Sequence, residues 1–272
     1  MELIKYQRTR HLEGSRLQAG DLSDDQPLSE LAGQSLVVEE KIDGANCAVS
    51  FDENGTLLLQ SRGHFLNGGH RERHFSLLKT WSSVHADRFR EVLGTRYVMY
   101  GEWLYAKHTV FYDWLPHFFL EFDLYDKETN SFLSTTRRRD VLCGLPIMPV
   151  PVIGEGELKS VKQAEKLVRP SLYKSPEWRE VLLEATAESG SRLDMVERQT
   201  EDSDLAEGLY LKHEDETSVL GRFKFVRAGF IQAITAADGH WQSRPILSNR
   251  LAEGIDIFAP VLGVKGAYDD DA

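Results

Sequence analysis

The sequence predicts an α+β fold, with antiparallel sheets and flanking helices. Three observations predict it. Its elements read as strands, a helix, strands, helices and strands again, without the regular alternation of a doubly wound parallel sheet. Two apolar runs are joined by Asp52-Glu53-Asn54-Gly55, and Asn-Gly is a hairpin signal. The chain has 272 residues, 41% hydrophobic and 28% charged, enough for one large core or two modest ones and too apolar for global disorder.

Residues 1–35 are polar and irregular, broken by Gly14, Gly20, Pro27 and Gly33. Residues 36–40, 46–51 and 57–60 read as strands, the last two forming the hairpin. Residues 71–93 change to helical spacing: Phe75, Leu78, Trp81, Phe89, Val92 and Leu93 line one face, and Gly94 suits the stop. Residues 97–100 and 118–125 are strands, the second a buried one. A short helix is expected over 134–143, beginning near Ser134. Residues 158–200 are charged and mostly helical, and Ser175-Pro176 places a proline at a first helical position. Strand character returns at 209–212 and 219–226. The expected organisation is one domain over 1–232 and a short tail over 233–272, ending in the acidic run Asp269-Asp270-Asp271.

Net charge is −11, from 32 Lys and Arg against 43 Asp and Glu. Non-specific adhesion to polyanions is disfavoured, so any nucleic-acid site must concentrate its basic residues locally. Two cysteines, Cys47 and Cys143, predict reduced thiols rather than a disulfide framework or a Cys-rich zinc site. No apolar run reaches the roughly 18 residues of a membrane span. The N-terminus lacks an apolar stretch of signal-peptide length, so a cytoplasmic location is expected.

The segment richest in chemistry is Glu40-Lys41-Ile42-Asp43-Gly44-Ala45-Asn46. A strand delivers Lys41 to a turn that Gly44 permits. A lysine there becomes a nucleophile if burial or nearby cations strip its proton; the plain alternative is a surface lysine beside a turn-forming Asp-Gly pair. Other short pieces follow in order. They are Ser61-Arg62-Gly63, Tyr100-Gly101-Glu102, the strand Phe118-Phe119-Leu120-Glu121-Phe122-Asp123, then Glu207-Gly208-Leu209-Tyr210-Leu211-Lys212 and Gly221-Arg222-Phe223-Lys224-Phe225.

This ordered set resembles the covalent nucleotidyltransferase superfamily of DNA ligases, RNA ligases and mRNA capping enzymes, across about residues 36–227. The glutamate before Lys41 and Asn46 after it narrow the resemblance to the RNA ligase 2 family; DNA ligases and capping enzymes usually carry arginine where Asn46 stands. The resemblance implies the adenylation-domain fold, ATP as substrate, and magnesium, with manganese as an alternative. It also implies a magnesium-dependent RNA repair reaction joining RNA 3′-OH and 5′-phosphate ends through lysyl-AMP and RNA-adenylate. A minimal DNA ligase and a non-catalytic nucleotide- or RNA-binding module are the alternatives.

It implies roles as well. Lys41 is the nucleophile, and Glu40 lies beside the adenine through its backbone carbonyl. Asp43 orients metal or the terminal RNA hydroxyl, Glu207 holds magnesium, and Asn46 and Arg62 hold the reactive phosphate. Glu102 accepts from ribose hydroxyls, Phe122 stacks on adenine, and Lys212, Arg222 and Lys224 grip phosphates. Plainer readings stand beside these. Phe122 lies in an apolar strand and suits core packing equally well, while Glu102 and Glu207 also read as surface carboxylates at strand ends. Lys224 alternates with Phe223 and Phe225, so Arg222 and Lys224 share one face, either a phosphate clamp or a solvated face.

Two departures stand out. The family's Lys-x-Lys is here Arg222-Phe223-Lys224, or Lys224-Phe225-Val226 in another register. The 233–272 tail is too short for an OB fold, so RNA-binding surface could come from an end-processing or RNA-binding partner. His64, His70 and His74 lie among Arg62, Arg71 and Arg73, a basic surface beside substrate phosphate or, less simply, a zinc site lacking a closing Cys or His pair. Arg137-Arg138-Arg139 is a cationic patch that touches RNA backbone or faces solvent.

Overall fold

A computed structural model describes residues 3–17, 25–230 and 246–260. Two six-stranded sheets face one another. The first contains β1 (Arg10–Leu12), β2 (Asp25–Gln26), β3 (Leu36–Lys41), β10 (Val152–Gly156), β11 (Gly208–Glu214) and β12 (Val219–Val226). Its order is β10-β3-β11-β12-β1-β2. The second is built from β4 (Ala45–Phe51), β5 (Leu57–Ser61), β6 (Tyr97–Trp103), β7 (Phe119–Asp126) and β8 (Ser131–Phe132), with β9 (Met148–Pro149) also pairing β7. Pairing is antiparallel except at β1 with β12 and β2, and at β7 with β9. This is the expected α+β class.

The hairpin forms as read. Asp52 Oδ1 accepts from the amides of Asn54 and Thr56, and Gly55 takes φ 76°. The single helix expected over 71–93 divides into a 3-10 turn (His70–Phe75), α1 (Ser76–Val84) and α2 (Ala86–Leu93). The break is at His85 (φ −100°, ψ 8°). His85 Nε2 lies 3.2 Å from the Ile257 carbonyl, inside the core. Phe75, Leu78, Trp81, Phe89 and Leu93 are buried against the second sheet as their spacing requires.

Helix α3 (Thr135–Leu142) begins after Ser134, whose Oγ accepts the Arg137 amide. The charged stretch holds α4 (Val161–Leu167), α5 (Trp178–Ser189) and α6 (Leu193–Arg198). α5 starts at Trp178, two residues after Pro176, and Ser175 gives its amide and hydroxyl to Asp113.

The expected irregular N-terminal stretch contains β1, β2 and a 3-10 turn (Leu28–Leu31). These pieces are too short to announce themselves and form only by joining β12. Of the expected tail, residues 246–260 run along the domain. Leu247 and Ile257 are core residues, and Asn249 bonds the Tyr112 amide and the Leu104 carbonyl at 3.0 and 2.6 Å. The acidic run 269–271 lies outside the described residues.

Candidate active site

Register places the site. Across β3, β11 and β12 the rows are Lys41, Gly208, Val226; then Glu39, Tyr210, Lys224; then Val37, Lys212, Arg222. Paired residues share a face, so Lys41, Glu39, Tyr210, Lys212, Arg222 and Lys224 all line the side that meets the second sheet. Glu40 falls on the other side. Its carboxylate accepts from Ser171 Oγ (2.6 Å) and the Leu172 amide (3.1 Å), so only its backbone remains for a ligand near Lys41.

Two glycines permit the approach. A Cβ on Gly208 would lie 1.9 Å from the Phe225 carbonyl oxygen. One on Gly44 would meet Leu104, Glu102 and the Trp103 carbonyl within 2.9 Å, so the Lys41 turn can close on β6 only without a side chain there.

At the end of β3, Lys41 Nζ pairs with Glu207 Oε1 at 2.6 Å. Burial pulls the lysine pKa down, but Glu207, with Glu102 and Asp43 behind it, more than reverses this and leaves it raised. Burial pushes Glu207 up to about 7 against the pull of Lys41. It pushes Glu102 up to about 8, opposed by Lys41 and Arg62. Asn46 is directly across from Glu102 on β4, and Arg62 is exposed just past β5. Lys224 acts electrostatically on Glu207. Lys41, Asn46, Arg62, Glu102, Glu207 and Lys224 therefore surround one cleft mouth. Deeper in, the Phe122 and Tyr210 rings face each other across the sheets, 6.3 Å apart and tilted 44°.

Other expected residues are committed elsewhere. Lys212 Nζ is bound to Glu39 (3.0 Å), Asp123 (3.1 Å) and the Phe122 carbonyl (2.5 Å), and the side chain is 1% exposed. Arg222 pairs with Asp123 at 3.4 Å and lies over the Tyr6 and Phe132 rings. Neither reaches Lys41; both are held in a buried ion cluster. Arg138 joins them through Glu39 (2.9 Å) and Glu121 (3.6 Å), fully enclosed, so the arginine triplet is no single basic patch. Only Arg137 of the three is fully exposed.

Asp43 Oδ2 accepts from the amides of Thr109 and Val110 (2.7 and 2.8 Å), and the Asp43 amide donates to the Tyr112 hydroxyl at 2.9 Å. Oδ2 thus braces the turn, while the carboxylate still acts electrostatically on Lys41 and Glu207. Glu207 is different: its Oε2 is buried without a hydrogen-bond partner, an oxygen suited to a hard divalent cation or its water. Among the described residues no group of three His, Cys, Asp or Glu side chains is arranged to hold a metal ion. His64 contacts Ser61 Oγ, His74 is buried, and the His70 and Arg71 side chains lie outside the description.

Glu39, Tyr6, Tyr210 and Asn249 were not singled out from sequence. Strand alternation from Lys41 points to Glu39, but nothing local points to Tyr6 or Asn249.

A lysine paired to a glutamate at the mouth of a two-sheet cleft, on this topology, defines a nucleotidyltransferase fold. A family model described as RNA ligase matches residues 34–226, and the chain belongs to that family. Solved structures agree on the fold. An RNA ligase of Naegleria gruberi, in a mutant with ATP and Mn, matches at TM-score 0.51 and 16% identity, over 87% of this chain and 64% of that one. A mutant of the same organism's RNA ligase without ligand matches at TM-score 0.51 and 17% identity, over 86% and 64%. The chain thus spans less than two thirds of these relatives' length. No curated protein sequence matches.

Proposed function

We propose that this chain is an ATP-dependent RNA ligase that joins RNA 3′-OH and 5′-phosphate ends. The observation that carries the reading is the Lys41 and Glu207 pair at 2.6 Å, where Asn46, Arg62, Glu102 and Lys224 converge. Lys41 Nζ, once deprotonated, attacks the α-phosphorus of ATP; the P–O bond to pyrophosphate breaks and lysyl-AMP forms. An RNA 5′-phosphate oxygen then displaces the lysine, giving RNA-adenylate. Finally the RNA 3′-OH attacks that phosphate and AMP leaves.

The chain's own groups fit these steps. Arg62 and Asn46 donate to phosphate oxygens and carry no readily lost proton. Glu102 accepts from ribose hydroxyls, and the Phe122 and Tyr210 rings flank the base. A bound divalent metal supplies positive charge against the triphosphate and leaving pyrophosphate, and Glu207 would hold it through Oε2. Magnesium with manganese as substitute suits that oxygen donor. Ligation consumes 3′-OH and 5′-phosphate ends, so an end-processing activity that leaves those groups belongs upstream. A cytoplasmic RNA-repair setting accords with two unpaired cysteines, and among the described residues no helix is long and apolar enough to cross a membrane.

Intact-mass measurement with ATP and magnesium tests this. AMP-free wild-type protein gains one AMP, reversibly with pyrophosphate, and Lys41→Ala gains none. No adduct on wild type would overturn the reading and favour a binding module. Sealing of nicked duplexes with RNA or DNA 3′-OH strands then separates RNA from DNA joining.

A further inference from the structure

The N-terminal segment crosses between the sheets. The Ile4 carbonyl accepts from Tyr100 Oη (2.7 Å) and Gln60 Nε2 (2.8 Å), both on the second sheet. Six residues later β1 joins the first sheet beside β12, with His11 opposite Lys224. Tyr6 lies between these anchors and is 5% exposed.

Its hydroxyl donates to Asp123 on the second sheet and pairs with the Tyr210 hydroxyl on the first. Tyr210 itself reaches Asp123 at 3.4 Å. The Tyr6 ring meets Phe122 edge-on, with centroids 5.2 Å apart at 74°, and packs against Tyr100 and Phe132. Tyr6 therefore touches both rings that face each other across the cleft. It ties them through one carboxylate and one hydroxyl pair.

The spacing gives this link a consequence. A base stacked on both rings needs about 7 Å between them, two contacts of about 3.5 Å. The ring centroids stand 6.3 Å apart at a 44° tilt, within about 1 Å of that width, so a base enters once the rings open slightly and turn toward parallel. We propose that Tyr6 is a positioning residue that sets this gap and thereby the affinity for the adenine of ATP. It works without touching the reacting phosphate. The proposal rests on the ligase reading only in that the two rings flank the base.

The test compares wild type with Tyr6→Phe, Tyr210→Phe and the double variant. It measures the equilibrium dissociation constant for ATP, the KM and kcat of Lys41 adenylylation, and the melting temperature. Tyr6→Phe keeps the ring and loses only the hydroxyl links. Each single variant is expected to weaken ATP binding and raise KM about five-fold to ten-fold, the weight of one or two hydrogen bonds. The kcat stays within about two-fold, because saturating ATP restores the geometry. The double variant is no worse than the worse single one, because both break the same link.

Dissociation constants and KM within about two-fold of wild type, a loss confined to kcat, or fully additive effects would each overturn the proposal. Should Tyr6→Phe not fold, Tyr210→Phe reads the same link from the other sheet. If wild type binds ATP yet forms no adduct, the ligase reading falls while the ratio of dissociation constants still decides this one. If wild type binds no ATP, both fall.

Discussion

Two clusters of buried charge lie on the same face of the same sheet, and they behave in opposite ways. The inner one joins Glu39, Lys212 and Arg222 from the first sheet to Glu121 and Asp123 from the second and to Arg138 from α3. Its three cations meet three carboxylates, and Lys212, Glu39, Asp123 and Arg138 are essentially sealed. The outer one pairs Lys41 with Glu207, with Glu102 and Asp43 close enough to raise the lysine further. There Arg62 and Lys224 also act on the carboxylates, and Lys41 keeps 23% of its side chain in solvent. The residue types are alike. Enclosure makes one cluster a clamp between sheets; access, and carboxyl groups that titrate near neutrality, leave the other able to exchange protons.

The largest expected effect separates the clusters by stability. Arg138→Met takes the nearest cation from Glu121, leaves Glu39 with Lys212 alone in the interior, and should cost about 3–5 kcal/mol in urea unfolding. Lys41→Met should cost less than about 1 kcal/mol, since Glu207 titrates near neutrality and can take a proton instead. Equal costs would break the comparison.

The next effect concerns pH. Glu102 and Glu207 have ordinary values of 4.5 but reach about 8 and about 7 when folded, and Glu121 reaches about 7. Each holds a proton in the folded protein that the unfolded chain has released. Their contribution to stability is full below the unfolded value and is lost as pH rises through 7 and 8. His117, lowered to about 4 from 6.5 by burial, acts in the opposite sense only below 6.5. Lys174, lowered to about 8 by burial, acts in that sense only above about 8. The melting temperature of ligand-free protein should therefore fall between roughly pH 6.5 and 8. Glu102→Gln, neutral throughout, should flatten that decline; an unchanged slope would remove Glu102 from the account. The smallest effect sharpens the contrast along one helix: Arg137→Ala, one residue from Arg138 but exposed, should stay within about 0.5 kcal/mol in the same unfolding experiment.

Much of the fold was legible because its signals are local. The Asn54-Gly55 turn, the Ser134 cap and the apolar runs of β4, β7 and β12 each depend on neighbours in sequence, and each forms within a residue or two of its expected bounds. The helix expected at Pro176 begins at Trp178, and the partner that holds Ser175, Asp113, is distant in sequence. β1 was missed because a three-residue strand has no signal apart from its partner.

The candidate site divides along the same line. By itself the sequence determined which residue types exist and in what order: a lysine before a turn, an Asn on the following strand, an arginine past the hairpin, and glutamates beside Gly101 and Gly208. It also determined that Arg222 and Lys224 share a face, since strand alternation is a local rule. Only the tertiary structure decided that Lys224 stays near Glu207 while Arg222 and Lys212 withdraw to Asp123. It alone turned Glu40 away, gave Asp43 Oδ2 to the Thr109 and Val110 amides, and brought Tyr6 against the Phe122 ring and the Tyr210 hydroxyl. The physical reason is that alternation tells which side chains lie together on a strand. Which charge meets which across the cleft depends on the packing of two sheets, and a buried charge goes wherever an opposite one is already enclosed.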